Sequence, residues 1–267
     1  MTGLVSRLVI GAALLPVVLG LVWLGGWWLF GLAAVAAVIA LHEYVEMVRQ
    51  LRPVLLAAYL GVLAMLLGSS EGGLAWLVGG FLLALVLTFF LHLVAETRQP
   101  PTIAIGSTLL GVGWIGFGLA HLILLRDLDR GRLVLFAVLL AAFAAATAAF
   151  FAGKLVGRHK LAPTMSPGKT WEGFVAGTIA AVAVAFFALY EDRDTFLTIW
   201  QALVLGGVIA LAEALGDLFE SALKRDMQVK DSGRLLGGHG GMLDRIDGLL
   251  FAGPAAYYLV LAFGYGS

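Results

Sequence analysis

The chain contains no cysteine. That excludes disulfides, zinc–thiolate sites and cysteine nucleophiles at once. Charge is the second scarcity: 13% of the 267 residues are Asp, Glu, Lys or Arg, against about 25% in an ordinary soluble domain. Hydrophobic residues make up 61%, and the mean hydropathy is +0.99. A soluble globular fold is therefore excluded, and a polytopic, all-α membrane protein is expected. The formal net charge is zero, so its distribution carries the information. No internal repeat and no low-complexity linker interrupts the chain. Arg7 precedes an apolar run with no obvious small-residue cleavage site, so this run reads as a retained first helix.

Nine hydrophobic segments are present: 8–24, 27–41, 54–68, 74–95, 103–125, 133–152, 174–190, 196–215 and 248–264. A crossing helix needs about 20 apolar residues, so the second and third are short. The first two cannot form one helix, because together they would far exceed a hydrocarbon core about 30 Å thick; Gly25-Gly26 is the natural break. Across these spans Arg7, Arg49, Arg52, Arg98, Lys154, Arg158, Lys160, Lys169, Lys224, Arg225, Lys230, Arg234 and Arg245 fall on one side. Arg126, Arg130, Arg132 and Arg193 fall on the other. Lys/Arg-rich short loops stay inside, so a cytoplasmic N-terminus is expected, with both charged segments, 153–173 and 216–248, on the cytoplasmic face. Spans rich in Gly and Ala, such as Ala141 to Ala149, suit close helix contacts and a homodimer. The whole reads as one membrane-embedded unit, with N-terminal helices over 1–130 and a catalytic region over 131–267.

What is present in place of charge elsewhere is one concentrated run from Gly216 to Gly248, in which acids, bases and glycines alternate between two apolar stretches. Glu213, Asp217, Glu220 or Ser221, and Lys224 recur at spacings of three and four, on one helical face. A carboxylate at a membrane helix end is costly unless paired, hydrated or metal-bound, so this face reads either as a site or as an interfacial ion-pair stripe. Lys224-Arg225-Asp226 and Lys230-Asp231-Ser232-Gly233-Arg234 bring ammonium and guanidinium groups suited to phosphate oxygens, or to anionic headgroups. Gly237-Gly238-His239-Gly240-Gly241 allows close backbone approach to a ligand, and the helix that follows offers its N-terminus to an anion. Asp244 and Asp247 lie three apart with Arg245 between them. With Asp217 they suit a hard divalent cation such as Mg²⁺, or ion pairs with Arg245 and Arg234.

A second charged segment, Gly153 to Gly173, reads GKLVGRHKLAPTMSPGKTWEG. Gly168-Lys169-Thr170 is like the end of a P-loop, but the upstream glycine is missing and no strand precedes it. Lys154, Arg158, His159, Lys160 and Lys169 make a basic loop that serves either phosphate binding or topology. His42, Glu43 and Glu46 form a small polar cluster after the second span and read as an interfacial cap.

The stretch Ser221 to Asp247 resembles the signature of the phosphatidate cytidylyltransferases, also called CDP-diacylglycerol synthases. The matching residues are Ser221, Lys224-Arg225, Lys230-Asp231, Ser232, His239-Gly240-Gly241 and Asp244-Arg245-Ile246-Asp247. Ser166 to Gly173, SPGKTWEG, resembles a second block of that family, and Gly216-Asp217-Leu218 also fits. The resemblance covers roughly residues 145–250. One departure stands out: Ala146 occupies a place where the family usually has an Asp beside Thr147, so either another acid such as Glu213 substitutes, or that Asp is not essential, or this chain is weakened.

The resemblance implies that CTP and phosphatidic acid react to give CDP-diacylglycerol and pyrophosphate, in phospholipid biosynthesis at the inner or plasma membrane. It implies catalytic roles for Asp217, Lys224, Arg225, Lys230, Asp231, His239, Asp244, Arg245 and Asp247, with Mg²⁺ held by Asp217, Asp244 and Asp247 and room for a second, monovalent cation. Ser166, Lys169, Thr170, Glu172, Ser221, Arg234, Gly240 and Gly241 are the implied substrate-binding residues. Partners are the two substrates and membrane lipids; no nucleic acid is expected. A CTP-dependent transferase or kinase acting on another lipid, an ion-coupled transporter and an inactive homologue are the alternatives.

Overall fold

The structure, a computed structural model, describes residues 16–95, 100–233 and 241–265. It is an all-α membrane protein. Residues 16–24 are helical, and the helices that follow are α1 (Gly26–Met47), α2 (Leu55–Val94), α3 (Pro101–Asp127), α4 (Gly131–Val156), α5 (Trp171–Leu189), α6 (Ile199–Asp226) and α7 (Leu243–Ala262). Among the described residues six of these, α1 to α6, are long and apolar enough to cross a membrane. Their outward faces carry large apolar side chains such as Trp27, Trp76, Phe187 and Trp200, all largely exposed. In water that surface would be a liability; in lipid it is the solvent-matched face.

The breaks fall where the backbone demands them. Gly25 has φ 68° and separates residues 16–24 from α1, as the sequence predicts. The 40-residue α2 is too long for one crossing, since 40 residues at about 1.5 Å each reach about 60 Å. Gly73, at φ 67° and ψ −154°, divides it in a region of backbone space that is essentially glycine-only. The two arms double back on each other: a Cβ on Gly80 would lie 2.6 Å from the Met65 nitrogen, and one on Gly68 2.5 Å from the Trp76 carbonyl oxygen. Each arm is close to one bilayer thickness. The sequence separates the same two segments at 68 and 74.

The chain divides into two compact units, residues up to Leu124 with Val229–Arg245, and Leu125–Gln228 with residues from Ile246 on. In the first, α1 and α3 are tied by Tyr44, whose hydroxyl donates to the Ser107 carbonyl at 2.6 Å. In the second, α4, α5 and α6 approach so closely that backbone fills the place of side chains. A Cβ on Gly177 would sit 2.8 Å from the Ala145 carbonyl oxygen, and one on Gly206 2.6 Å from the Val182 Cα. Without a hydrophobic drive between helices in lipid, such contacts supply the association.

Two helix starts are capped from their own sequence. Thr170 accepts from the Gly173 N–H at 3.1 Å and opens α5. Thr198 and Gln201 form a reciprocal capping box at the start of α6. The basic segment expected as a loop is a short antiparallel hairpin, β1 (Lys160–Ala162) and β2 (Ser166–Thr170), with Lys160 opposite Thr170 and Ala162 opposite Ser166.

Candidate active site

The second unit gathers acids and lysines at the polar ends of its helices. β2 leads straight into α5, so Lys169 is held one residue from a helix start. Its ammonium lies 3.0 Å from Asp217 Oδ2 and donates to the Ala214 carbonyl at 3.2 Å. Both acceptors are on α6. One turn along, Ser221 Oγ donates to Asp217 Oδ1 at 3.3 Å. A further turn on, Lys224 Nζ donates to Glu220 Oε2 at 2.7 Å, and Glu220 is only 1% exposed. The i, i+4 spacings read from the sequence therefore do form one face.

From α7, Asp247 shares a hydrogen bond with Glu220 and stands near Asp217 and Lys224. Glu213 lies near Asp217, Lys169 and Asp247. The approach depends on glycine: a Cβ on Gly248 would come 2.8 Å from Glu213 Cγ, and one on Gly216 would collide with the Asp247 carbonyl oxygen. Four carboxylates face two lysines here. Like charges this close, half out of water, are tolerated only when cations are supplied.

Beside this cluster is a pocket of about 420 Å³, lined by Lys154, Ser166, Lys169, Glu213 and Asp217 among its polar groups and by Phe150 and Phe174 among its apolar ones. Ala146 also lines it. The methyl group at the departure from the family pattern thus faces the same space as Glu213.

The hairpin is braced rather than free. Glu172 accepts from the Arg158 N–H at 3.1 Å and the His159 N–H at 3.2 Å, and its Oε1 lies 2.6 Å from His159 Nδ1. Arg225 Nε donates to the Met165 carbonyl at 3.3 Å, which fastens the hairpin tip to α6. Thr170 is buried in its cap. Of the residues expected to bind substrate from this segment, Ser166 and Lys169 line the pocket with Thr170, while Glu172 organises the backbone beside it.

In the first unit, Lys230, Asp231 and Ser232 border a second polar pocket of about 1040 Å³ with His42, Glu43, Glu46 and Arg49. Lys230, Asp231 and Arg245 are exposed. Asp244 Oδ2 accepts from the Gly241 N–H at 2.8 Å and from the Ser232 N–H at 3.3 Å, so this carboxylate folds the signature segment onto the start of α7. Glu43, read from sequence as part of an interfacial cap, is instead 4% exposed and accepts from the Met242 N–H at 3.0 Å and the Leu243 N–H at 2.9 Å. The available signal was an ionisable residue inside an otherwise apolar helix. The expected site residues Arg234, His239 and Gly240 lie outside the described residues.

The donor set near Asp217 is all oxygen, the chemistry a hard cation such as Mg²⁺ takes. Among the described residues, no three His, Asp or Glu side chains already converge to hold a metal ion. Asp217 and Asp247 belong to one cluster, and Asp244 belongs to the first unit. Two carboxylates with water and phosphate oxygens suffice for Mg²⁺, which is seldom bound by an all-protein cage.

This all-α membrane protein brings two lysines and four carboxylates together beside a pocket. Residues 5–263 match the Cytidylyltransferase family, and the chain belongs to that family; it is a nucleotidyltransferase. Its relatives include the phosphatidate cytidylyltransferase of Staphylococcus haemolyticus, 33% identical over 252 residues, which span 92% of this chain and 94% of the relative. Another, of the same description, is from Mycobacterium tuberculosis, 32% identical over 247 residues, 86% of this chain and 74% of the relative. The Haemophilus influenzae protein of that description is 40% identical over 136 residues, 50% of this chain and 47% of the relative.

Proposed function

We propose that this chain transfers the cytidylyl group of CTP to phosphatidic acid, giving CDP-diacylglycerol and pyrophosphate, from the cytoplasmic face of the membrane. The observation that carries the reading is the Lys169–Asp217 pair beside the 420 Å³ pocket, in a chain similar over 92% of its length to a protein described as a phosphatidate cytidylyltransferase. Nine crossings with the N-terminus inside, suggested by the Lys/Arg distribution, complete the proposed topology.

In the reaction a phosphatidate oxygen attacks the α-phosphorus of CTP. The bond from that phosphorus to the α–β bridging oxygen breaks, and its electrons leave with pyrophosphate. The nucleophile is already ionised near neutral pH, so no strong general base is needed. Positioning and charge neutralisation are the protein's contributions. Lys169 and Lys224, now paired with Asp217 and Glu220, meet the triphosphate, and Arg225 adds positive charge beside them; Lys230 and Arg245, which belong to the first unit, are proposed contacts for substrate phosphate. Asp217 and Asp247 would hold Mg²⁺, which when bound neutralises triphosphate oxygens. Glu213 supplies its pocket with the carboxylate that Ala146 does not.

Pyrophosphate release by purified protein in detergent tests this. Release that requires CTP, phosphatidic acid and Mg²⁺ together, and is lost in Asp217→Asn, is expected. Release with another lipid acceptor but not with phosphatidic acid refutes the substrate assignment.

A further inference from the structure

We infer that Glu43, on α1, is a positioning residue for the signature segment some 190 to 200 positions further along the chain. The inference rests on the reading above, in that Lys230 of that segment meets the nucleotide. It adds a residue outside the signature blocks, which lie between about 145 and 250.

The geometry is specific. The first amides of a helix have no partner within it, and at α7 two backbone N–H groups, those of Met242 and Leu243, are taken by the two oxygens of Glu43. Ser232 Oγ donates to the same carboxylate at 3.4 Å. One side chain thus gathers the segment on both sides of residues 234–240. The backbone is shaped to admit it: a Cβ on Gly233 would sit 2.5 Å from Glu43 Oε1, and one on Gly241 would collide with Glu43 Oε2 and Ser232 Oγ. Asp244 grips the same two places through the amides of Ser232 and Gly241. Two carboxylates, one local and one from α1, therefore hold the backbone at Ser232 and at Gly241 to Leu243.

The neighbours of Glu43 show what depends on it. His42 and Glu46 of the same helix, with Arg49 in the 3-10 turn that follows it, line the pocket that Lys230 and Asp231 border. None of those five is buried, whereas Glu43 is. A buried charge makes its hydrogen bonds in a low dielectric, where they are strong and costly to lose. The tether therefore fixes where Lys230 stands, and Glu43 itself touches neither substrate.

The test uses the full chain, purified in detergent, with Glu43→Gln and Gly241→Ala attacking the tether from its two sides, and Glu71→Gln as a control on exposed α2. Two quantities are measured: the KM for CTP in pyrophosphate release, and amide hydrogen exchange by peptide. A loss of folded protein scales kcat and leaves KM alone. Loss of a positioning contact is expected to raise KM for CTP about tenfold, the factor one hydrogen bond to a charged group represents. Exchange is expected to accelerate in peptides covering 241–245 and to stay unchanged across α2 and α6. An unchanged KM in both variants overturns the inference, as does exchange that rises across the whole of α1, which would make Glu43 an ordinary core residue. A wild-type protein that releases no pyrophosphate refutes the functional reading and with it any role in turnover. Exchange in the 241–245 peptides then decides by itself whether Glu43 holds the segment.

Discussion

Replacing Lys224 by Met tests whether the ion pair on α6 is structural, functional or both. Lys224 lies 2.7 Å from Glu220 Oε2, and the two side chains are 14% and 1% exposed. At that separation an effective dielectric of about 20 gives a gross attraction of about 6 kcal/mol. Desolvation offsets part of this, but removing one partner leaves the other charge buried, a loss of about 3–5 kcal/mol. Asp247 shares a hydrogen bond with Glu220, so this hydrogen-bonded acidic pair would be left without its cation. At about 2–4 °C per kcal/mol for a chain of this size, Lys224→Met is expected to melt on the order of 10 °C below wild type in detergent. The double variant Lys224→Met/Glu220→Gln removes the orphaned charge and is expected to regain most of that stability. If Lys224 also meets the triphosphate, pyrophosphate release stays lost in the double variant. A single variant melting within a degree or two of wild type refutes the buried-pair argument. A double variant with restored turnover refutes the role of Lys224 with substrate.

Asp217→Asn keeps the shape of the side chain but removes its charge, and kcat/KM is expected to fall about 10²–10³-fold, with melting nearly unchanged because Asp217 is more than a third exposed. Gly216→Ala drives a methyl group into the Asp247 carbonyl and is expected to cost about 1–3 kcal/mol, read as a lower melting temperature. Glu172→Gln loses the charge that accepts from Arg158 and His159; melting is expected to hold, and KM for CTP to rise severalfold as Lys169 loses its register. Chelation by EDTA is expected to abolish pyrophosphate release, and added Mg²⁺ to restore it; release unaffected by chelation refutes the proposed Mg²⁺ role.

Local rules made much of this legible in advance. Glycine pairs bounded by apolar runs marked the break at Gly25, and the gap between residues 68 and 74 marked the turn at Gly73, because span length and φ preference act over a few residues. The face shared by Asp217, Ser221 and Lys224 followed from helical spacing alone. What was hidden is what depends on distant chain. Glu43 reads as a cap until α7 is brought to it, and no periodicity links positions 43 and 242. The hairpin at 160–170 lacks the alternation of a long strand, and its register is held by Glu172 and Arg225, both outside it. Asp244 has the residue type of a metal ligand, and its additional hold on the Ser232 and Gly241 amides has no signal in the spacing.

The folded-back α2 bears on how the chain enters the membrane in the first place. Its two arms are joined by Ser69-Ser70-Glu71-Gly72-Gly73, a turn with no Lys or Arg to signal a side. Neither arm alone tells the insertion machinery which way to face, and orientation must be inherited from Arg49 and Arg52 before it and Arg98 after it. The pair is therefore expected to enter as one helical hairpin rather than as two successive crossings. A single Lys placed at Ser70 would give that silent turn a vote, and reporter fusions at the turn would register the conflict as mixed topology.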